Sequence, residues 1–252
     1  MPADELAVTA RGAGPPLVLV HGFTQTSRSW GPLAEALAER FAVVTVDAPG
    51  HGESAAIEVD LRRAAELIGA AGGRATYLGY SMGGRMCLEL ALDDPPLVER
   101  LVLISATAGI ADPAERAARR QHDEALAATL ERDGLDAFLE RWLAQPLFAG
   151  LTDTGLADRR RNTVAGLASS LRLAGTGTMA PAWERLGTIG VPVLLVAGSL
   201  DTKFVALAER MAAALPCAEL AIVEGAGHTV HLEQPATFLD VLTRWLNGWL
   251  SD

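Results

Sequence analysis

The feature that most limits how this chain can fold is an alternation. Short runs rich in leucine and β-branched residues recur at 17–20, 41–46, 75–78, 100–104, 191–196 and 220–223. Segments of helical period separate most of them, at 30–40, 59–71, 82–92, 204–215 and 235–250. Short apolar runs of this kind read as strands buried on both faces, and strand–helix–strand units in series build a parallel sheet covered by helices on either side. The alternation breaks once. Between 104 and 191 no run reads as a strand, and Arg/Glu/Ala/Leu-rich helical segments at 112–134, 135–143 and 156–173 take its place. A stretch this long exceeds a loop and implies a helical cap laid over the sheet. The expected division is a first core segment 1–108, a cap 109–187 and a second core segment 188–252.

A chain of 252 residues, half of them hydrophobic, can bury one large core with such an insertion. The formal net charge of -10 argues against a nucleic-acid partner, for which a basic surface supplies most of the affinity. No apolar run approaches the roughly 18 residues of a membrane span, and residues 1–10 contain acids and no apolar signal core. The expected setting is the cytoplasm, without a membrane partner. Cys87 and Cys217 lie in apolar surroundings without metal-ligand spacing and read as small core residues, so no metal is expected. Nothing in the sequence chooses between a monomer and a small homo-oligomer.

Chemistry is announced by Gly79-Tyr80-Ser81-Met82-Gly83, which fits G-x-S-x-G, a sharp strand-to-helix turn that lifts a serine hydroxyl over the sheet edge. Small neighbours are needed there for backbone to pass backbone. The same pattern alone also describes a plain strand-to-helix turn, so its weight comes from what accompanies it. The run 17–20 ends in His21-Gly22-Phe23-Thr24, where the amide of Phe23 could join that of Met82 in facing a developing oxyanion. The run 191–196 leads to Gly198-Ser199-Leu200-Asp201, and the last run leads to Gly225-Ala226-Gly227-His228. Serine, aspartate and histidine, each after a strand and in that order, are the expected order of a nucleophile–acid–base triad on such a sheet. His231 competes with His228 for the role of base. His51, in the turn 46–54, reads as structural and His122 as a solvated residue of a cap helix.

Arg85 stands four residues after Ser81 and so shares its helix face. A cation in the first turn opposes the helix dipole, at a cost of about 0.3–1 kcal/mol. It could pair with an acid of the cap. It could also bind a substrate carboxylate, which a guanidinium fork matches in two places.

With these motifs the whole chain resembles the α/β-hydrolase fold family, which implies a helical cap inserted after the sixth strand. Within it, "HGFTQTSRSW", "GYSMGGRMCLELAL", "AARRQ", "RWLAQPLF", "GLASSLRLAGTGTMAPAWERL", "GSLDTKF" and "GAGHTVHLEQP" resemble the 2-succinyl-6-hydroxy-2,4-cyclohexadiene-1-carboxylate synthases of menaquinone biosynthesis. The resemblance implies a cofactor-free lyase that eliminates pyruvate from an anionic enolpyruvyl cyclohexene carboxylate, with Ser81, His228 and Asp201 acting together as base. It also implies substrate contacts from Tyr80, Arg85, Arg119, Trp142 and Arg159, with Arg120 and Arg161 as alternatives to their neighbours. It gives a place to Lys203, the one lysine among 21 cations, two residues past Asp201. The cap carries ten arginines against eleven acids, nearly neutral in an acidic protein, as an anionic ligand would require. Three other readings stay open on the same residues. They are an esterase or thioesterase, a carbon–carbon bond hydrolase, and a catalytically silent ligand receptor.

Overall fold

The computed structural model describes residues 5–248. In chain order its elements are strands β1 (Val8–Arg11) and β2 (Pro16–Val20), helix α1 (Gly31–Ala38), β3 (Ala42–Val46), α2 (Leu61–Gly72), β4 (Ala75–Tyr80), α3 (Met82–Asp93) and β5 (Val98–Ile104). Helices α4 (Pro113–Asp133), α5 (Leu135–Leu143), α6 (Leu156–Arg159) and α7 (Val164–Ala174) follow. The chain then returns through β6 (Val193–Gly198), α8 (Thr202–Ala214), β7 (Ala218–Val223), α9 (Val230–Glu233) and α10 (Pro235–Gly248). The last two residues of the expected helix 235–250 lie outside the described residues, as do the first four of the segment 1–10.

The strands form one sheet in the order β1-β3-β2-β4-β5-β6-β7. Only β1 runs antiparallel, against β3. Alternate side chains of each strand enter opposite layers. Val18 and Tyr77 pack with Ala64, Ile68 and Met86 of α2 and α3 on one face. Leu17, Leu19 and Leu78 pack with Leu33, Leu37, Phe238 and Leu242 of α1 and α10 on the other. Burial on both sides explains why these strands read as unbroken apolar runs. Helix α3 is buried from Met82 to Ala91, Arg85 and Glu89 included. Among the described residues no helix is long and apolar enough to cross a membrane.

Helices α4 to α7 enter after the fifth strand of this sheet, not the sixth. They have their own small core of Ala127, Leu130, Phe138, Leu139, Leu167, Ala168 and Leu171. Asp112 caps α4 by accepting from the Glu115 amide at 2.8 Å, with Pro113 at the first helical position. Arg172 of α7 forks onto Glu124 and Glu131 of α4, an exposed tie worth little by itself.

Two further expectations are corrected here, and one strand was not foreseen. The segment 156–173 is two helices, because Asn162 and Thr163 interrupt it. The Thr163 side chain caps α7 by accepting from the Gly166 amide at 3.0 Å, and the Asn162 amide turns away to the core. Strand β1 was not foreseen, since Val8–Arg11 is a short edge strand with mostly exposed residues. Cys217 is exposed, whereas Cys87 is buried as expected.

Candidate active site

The sheet's strand order brings three strand ends to one edge. Ser81 follows β4, Asp201 follows β6, and His228 lies five residues beyond β7. Ser81 has φ of 51° and ψ of -104°, a conformation that an L-residue adopts only when its surroundings impose it. They do so through glycines. A Cβ at Gly79 would run into the backbone of Gly83, and one at Gly83 would run into the carbonyls of Val20 and His21. Backbone on backbone leaves nothing to yield. Gly83→Ala is therefore expected to cost about 3 kcal/mol, as overpacking of a rigid core does, and to lower Tm by several degrees in a thermal melt.

His228 is 3% exposed. Its Nε2 lies 3.1 Å from the Ser81 hydroxyl and its Nδ1 lies 2.7 Å from Asp201 Oδ2. With the proton on Nδ1 donated to the carboxylate, Nε2 is left to accept from the serine. The loop around the imidazole is clamped on both sides. Glu233 accepts from the amides of Gly227 at 2.7 Å and Thr229 at 2.8 Å, while the Ser105 hydroxyl donates to the His228 carbonyl at 2.8 Å. Neither Glu233 nor Ser105 was picked out from sequence. An acid five residues past the histidine was the available signal for the first, and Ser105 offered none.

His231 makes no hydrogen bond to Ser81. Its ring is wedged between Trp30 and Tyr80, with centroids 4.7 Å from each. Both its nitrogens are buried without a hydrogen-bond partner. Burial, then the neighbouring His228, lowers its pKa to about 3. His51 is lowered to about 3 as well, first by burial and then by His21. As expected it is structural, its Nε2 accepting from the Thr24 amide at 3.3 Å. Unfolded histidines titrate near 6.5, so between that pH and about 3 the unfolded chain binds more protons than the folded one. The stability these two neutral rings contribute is complete above pH 6.5 and is lost as pH falls through that window, by at most about 1.4 kcal/mol per pH unit for each ring. His231→Phe should flatten this acid limb, read by denaturant unfolding at a series of pH values.

Ser81 and His228 open into a cavity of about 200 Å³. Tyr80, Arg85, Arg119 and Trp142 line it, together with Phe23 and Met82. Neither the Phe23 nor the Met82 amide has an acceptor among the described residues, so both are available to a ligand. Trp142 packs on Phe23, Phe138 and Phe148, and its indole nitrogen is buried and unpaired. Tyr80 is buried with its hydroxyl 3.3 Å from Thr229 Oγ1, and burial raises its pKa.

Arg85 is 7% exposed, and its guanidinium donates to the Ala174 carbonyl at 2.7 Å. No carboxylate of the described residues pairs with it directly. Burial lowers its pKa to about 10, helped by Arg119 and opposed by Asp123, so it remains a cation at neutral pH. Arg119 binds Asp123 Oδ1 at 2.7 Å, an i,i+4 pair that the sequence could have revealed. Arg120 instead donates to the Gly177 carbonyl, which decides between the two. Lys203 and Phe204 complete the wall beside His228, with the Phe204 and His228 ring centroids 4.5 Å apart.

Arg159 is the exception. It is buried, but it does not line this cavity. Its guanidinium donates to the Thr154 carbonyl at 2.7 Å and to the Thr24 hydroxyl. The short α6 turns it toward the Phe23–Ser29 loop rather than the serine. Arg160 and Arg161 do not replace it. They pair with Asp136 and Glu53 at the surface.

A profile of the α/β-hydrolase family matches residues 17–241. The chain belongs to the α/β-hydrolase family. Among its relatives, a Bacillus subtilis (strain 168) protein provisionally named 2-succinyl-6-hydroxy-2,4-cyclohexadiene-1-carboxylate synthase is 37% identical, over 92% of this chain and 90% of the relative. The Salmonella paratyphi C (strain RKS4594) protein of that name is 32% identical over 92% and 94%. Among solved structures, MenH from S. aureus superposes with a TM-score of 0.84 at 30% identity, covering 97% of this chain and 98% of the other. The α/β-hydrolase family assignment and the parallel sheet agree with what the motifs implied.

Proposed function

We propose that this chain is a cytoplasmic lyase that eliminates pyruvate from 2-succinyl-5-enolpyruvyl-6-hydroxy-3-cyclohexene-1-carboxylate to give 2-succinyl-6-hydroxy-2,4-cyclohexadiene-1-carboxylate. The relatives of this activity span nearly the whole chain. The observation that carries the reading to this site is Arg85, a buried cation with only a carbonyl for a partner, one helical turn from Ser81 and in the same cavity. A hydrolase of uncharged esters has no use for such a group. A substrate bearing three carboxylates does, and Arg85, Arg119 and Lys203 all line the cavity, with Asp123 offsetting the charge of Arg119.

Comparison of substrate and product fixes the electron flow. The ring C–H bond beside the succinyl carbonyl breaks, the ring double bond shifts, and the distal C–O bond breaks to release pyruvate as its enolate, which then takes the proton that His228 has received, so that the imidazole returns to its neutral form. Ser81 takes the ring proton while its own hydroxyl proton passes to His228 Nε2, and Asp201 steadies the imidazolium that results. Charge that develops on the succinyl carbonyl oxygen as its neighbouring carbon is deprotonated falls to the amides of Phe23 and Met82. No bond between serine and substrate is required, so the same three residues serve a lyase as well as they would serve an acyl transfer.

The test sets pyruvate release from the enolpyruvyl substrate beside turnover of nitrophenyl esters and acyl thioesters. Pyruvate formation should have the higher kcat/KM by a wide margin. Ester cleavage that outruns it, accompanied by a burst of acyl-enzyme, would replace this reading with an esterase.

A further inference from the structure

The inserted segment also grips the loop that carries Phe23. Thr24 has φ of 68° and is fully buried, a left-handed conformation that a β-branched residue holds only under constraint. All three of its polar groups are engaged. Its amide donates to His51 Nε2, its carbonyl accepts from Asn162 Nδ2 at 2.7 Å, and its hydroxyl accepts from Arg159. Farther along the loop the hydroxyls of Thr26 and Ser29 donate to the Asp158 carboxylate at 2.7 and 2.8 Å. Asn162 itself is 4% exposed, and its Oδ1 accepts from the Gly52 amide at 2.9 Å. Residues 158–162 thus close around the loop, although neither Asn162 nor Arg159 lines the cavity. On the other side, Gly22 is held by Gln25 Oε1 at 3.1 Å. Phe23 is fixed between two immobilised neighbours.

We infer that Asn162 is a positioning residue: with Arg159 it locks Thr24, and through Thr24 it aims the Phe23 amide at the oxygen on which charge develops. The cap then builds part of the oxyanion site as well as the carboxylate contacts. This rests on the reading of Phe23 and Met82 as the oxyanion donors.

Two variants of the full chain test it. Asn162→Ala removes all three of its side-chain hydrogen bonds and leaves Thr24 to Arg159 and His51. Asn162→Asp, isosteric and suited to the case in which the alanine variant fails to fold, keeps the acceptor for Gly52 and removes the donor to Thr24. Loss of a whole oxyanion donor costs about 10²–10³ in kcat, so a loosened one should cost about 10- to 100-fold, with KM changed by less than about threefold. Two inhibitors separate aim from general damage. A trifluoromethyl ketone adds to Ser81 Oγ, the serine proton passes to His228 and the ketone oxygen becomes an anion, so its affinity should fall in step with kcat. Tricarballylate, held by the cavity cations alone, should bind as before. Unchanged kcat, or parallel loss of both inhibitors, overturns the inference. Failure of the parent reading looks different, because the unmodified chain would then cleave esters faster than it releases pyruvate, whatever Asn162 does.

Discussion

Replacement of His228 by alanine should lower kcat for pyruvate release by about a thousandfold or more, with substrate affinity nearly kept. General base catalysis by a positioned group is worth about 10²–10⁴, and triad members act as a unit, so the loss of one removes most of what the set provides. Here that unit is one line of hydrogen bonds from Asp201 through His228 to Ser81. Without the imidazole nothing takes the serine proton, since His231 is enclosed by Trp30 and Tyr80 and cannot substitute. Ser81→Ala should match the effect, and the double variant should be scarcely slower than either single one. Single-turnover measurement of pyruvate release checks this. Additive losses would mean that the two residues act separately.

Arg85→Met should produce the second large effect, and in two directions at once. Truncating a buried, hydrogen-bonded charge that meets its partner on binding costs 2–5 kcal/mol, or about 30- to several-thousand-fold in kcat/KM. In the free protein the balance differs. Arg85 is desolvated, sits near Arg119, and has only the Ala174 carbonyl in direct contact. A buried charge without full compensation is a stability cost that an apolar residue of similar volume relieves. Arg85→Met should therefore retain or raise Tm while it removes activity. The paired readouts are thermal melting and steady-state kinetics. A variant that loses stability and keeps activity would show that the guanidinium is a structural strut.

The triad was legible because its signals are local. Glycines around Ser81, and the Gly-x-Gly before His228, are required by turns that involve only a few residues, so the sequence displays them in place. Arg85 was legible for the same reason, as helix geometry alone puts it beside Ser81. The cap was harder. Whether Arg119 or Arg120 faces the cavity depends on how α4 is rolled against α7 and the loop at Gly177. The inward turn of Arg159 toward Thr24 depends on a break between α6 and α7 that good helix formers on both sides conceal. Asn162 read as part of one continuous helix 156–173, because its three bonds go to Thr24, Gly52 and Arg159, two of them more than a hundred positions away in the chain. Strand β1 was missed because its partner β3, not its own composition, makes it a strand.

The bonds from residues 158–162 to the Phe23–Ser29 loop bear on how such proteins could diversify. Ser81, Asp201 and His228 all follow strands of the sheet, so a foreign insert spliced between Ile104 and Val193 would leave them in register. It would nonetheless arrive without the side chains that brace Thr24. A chimera of this kind should inherit a competent proton acceptor beside a slack anion receptor, and would need compensating changes in its first loop before any new substrate could be turned over quickly.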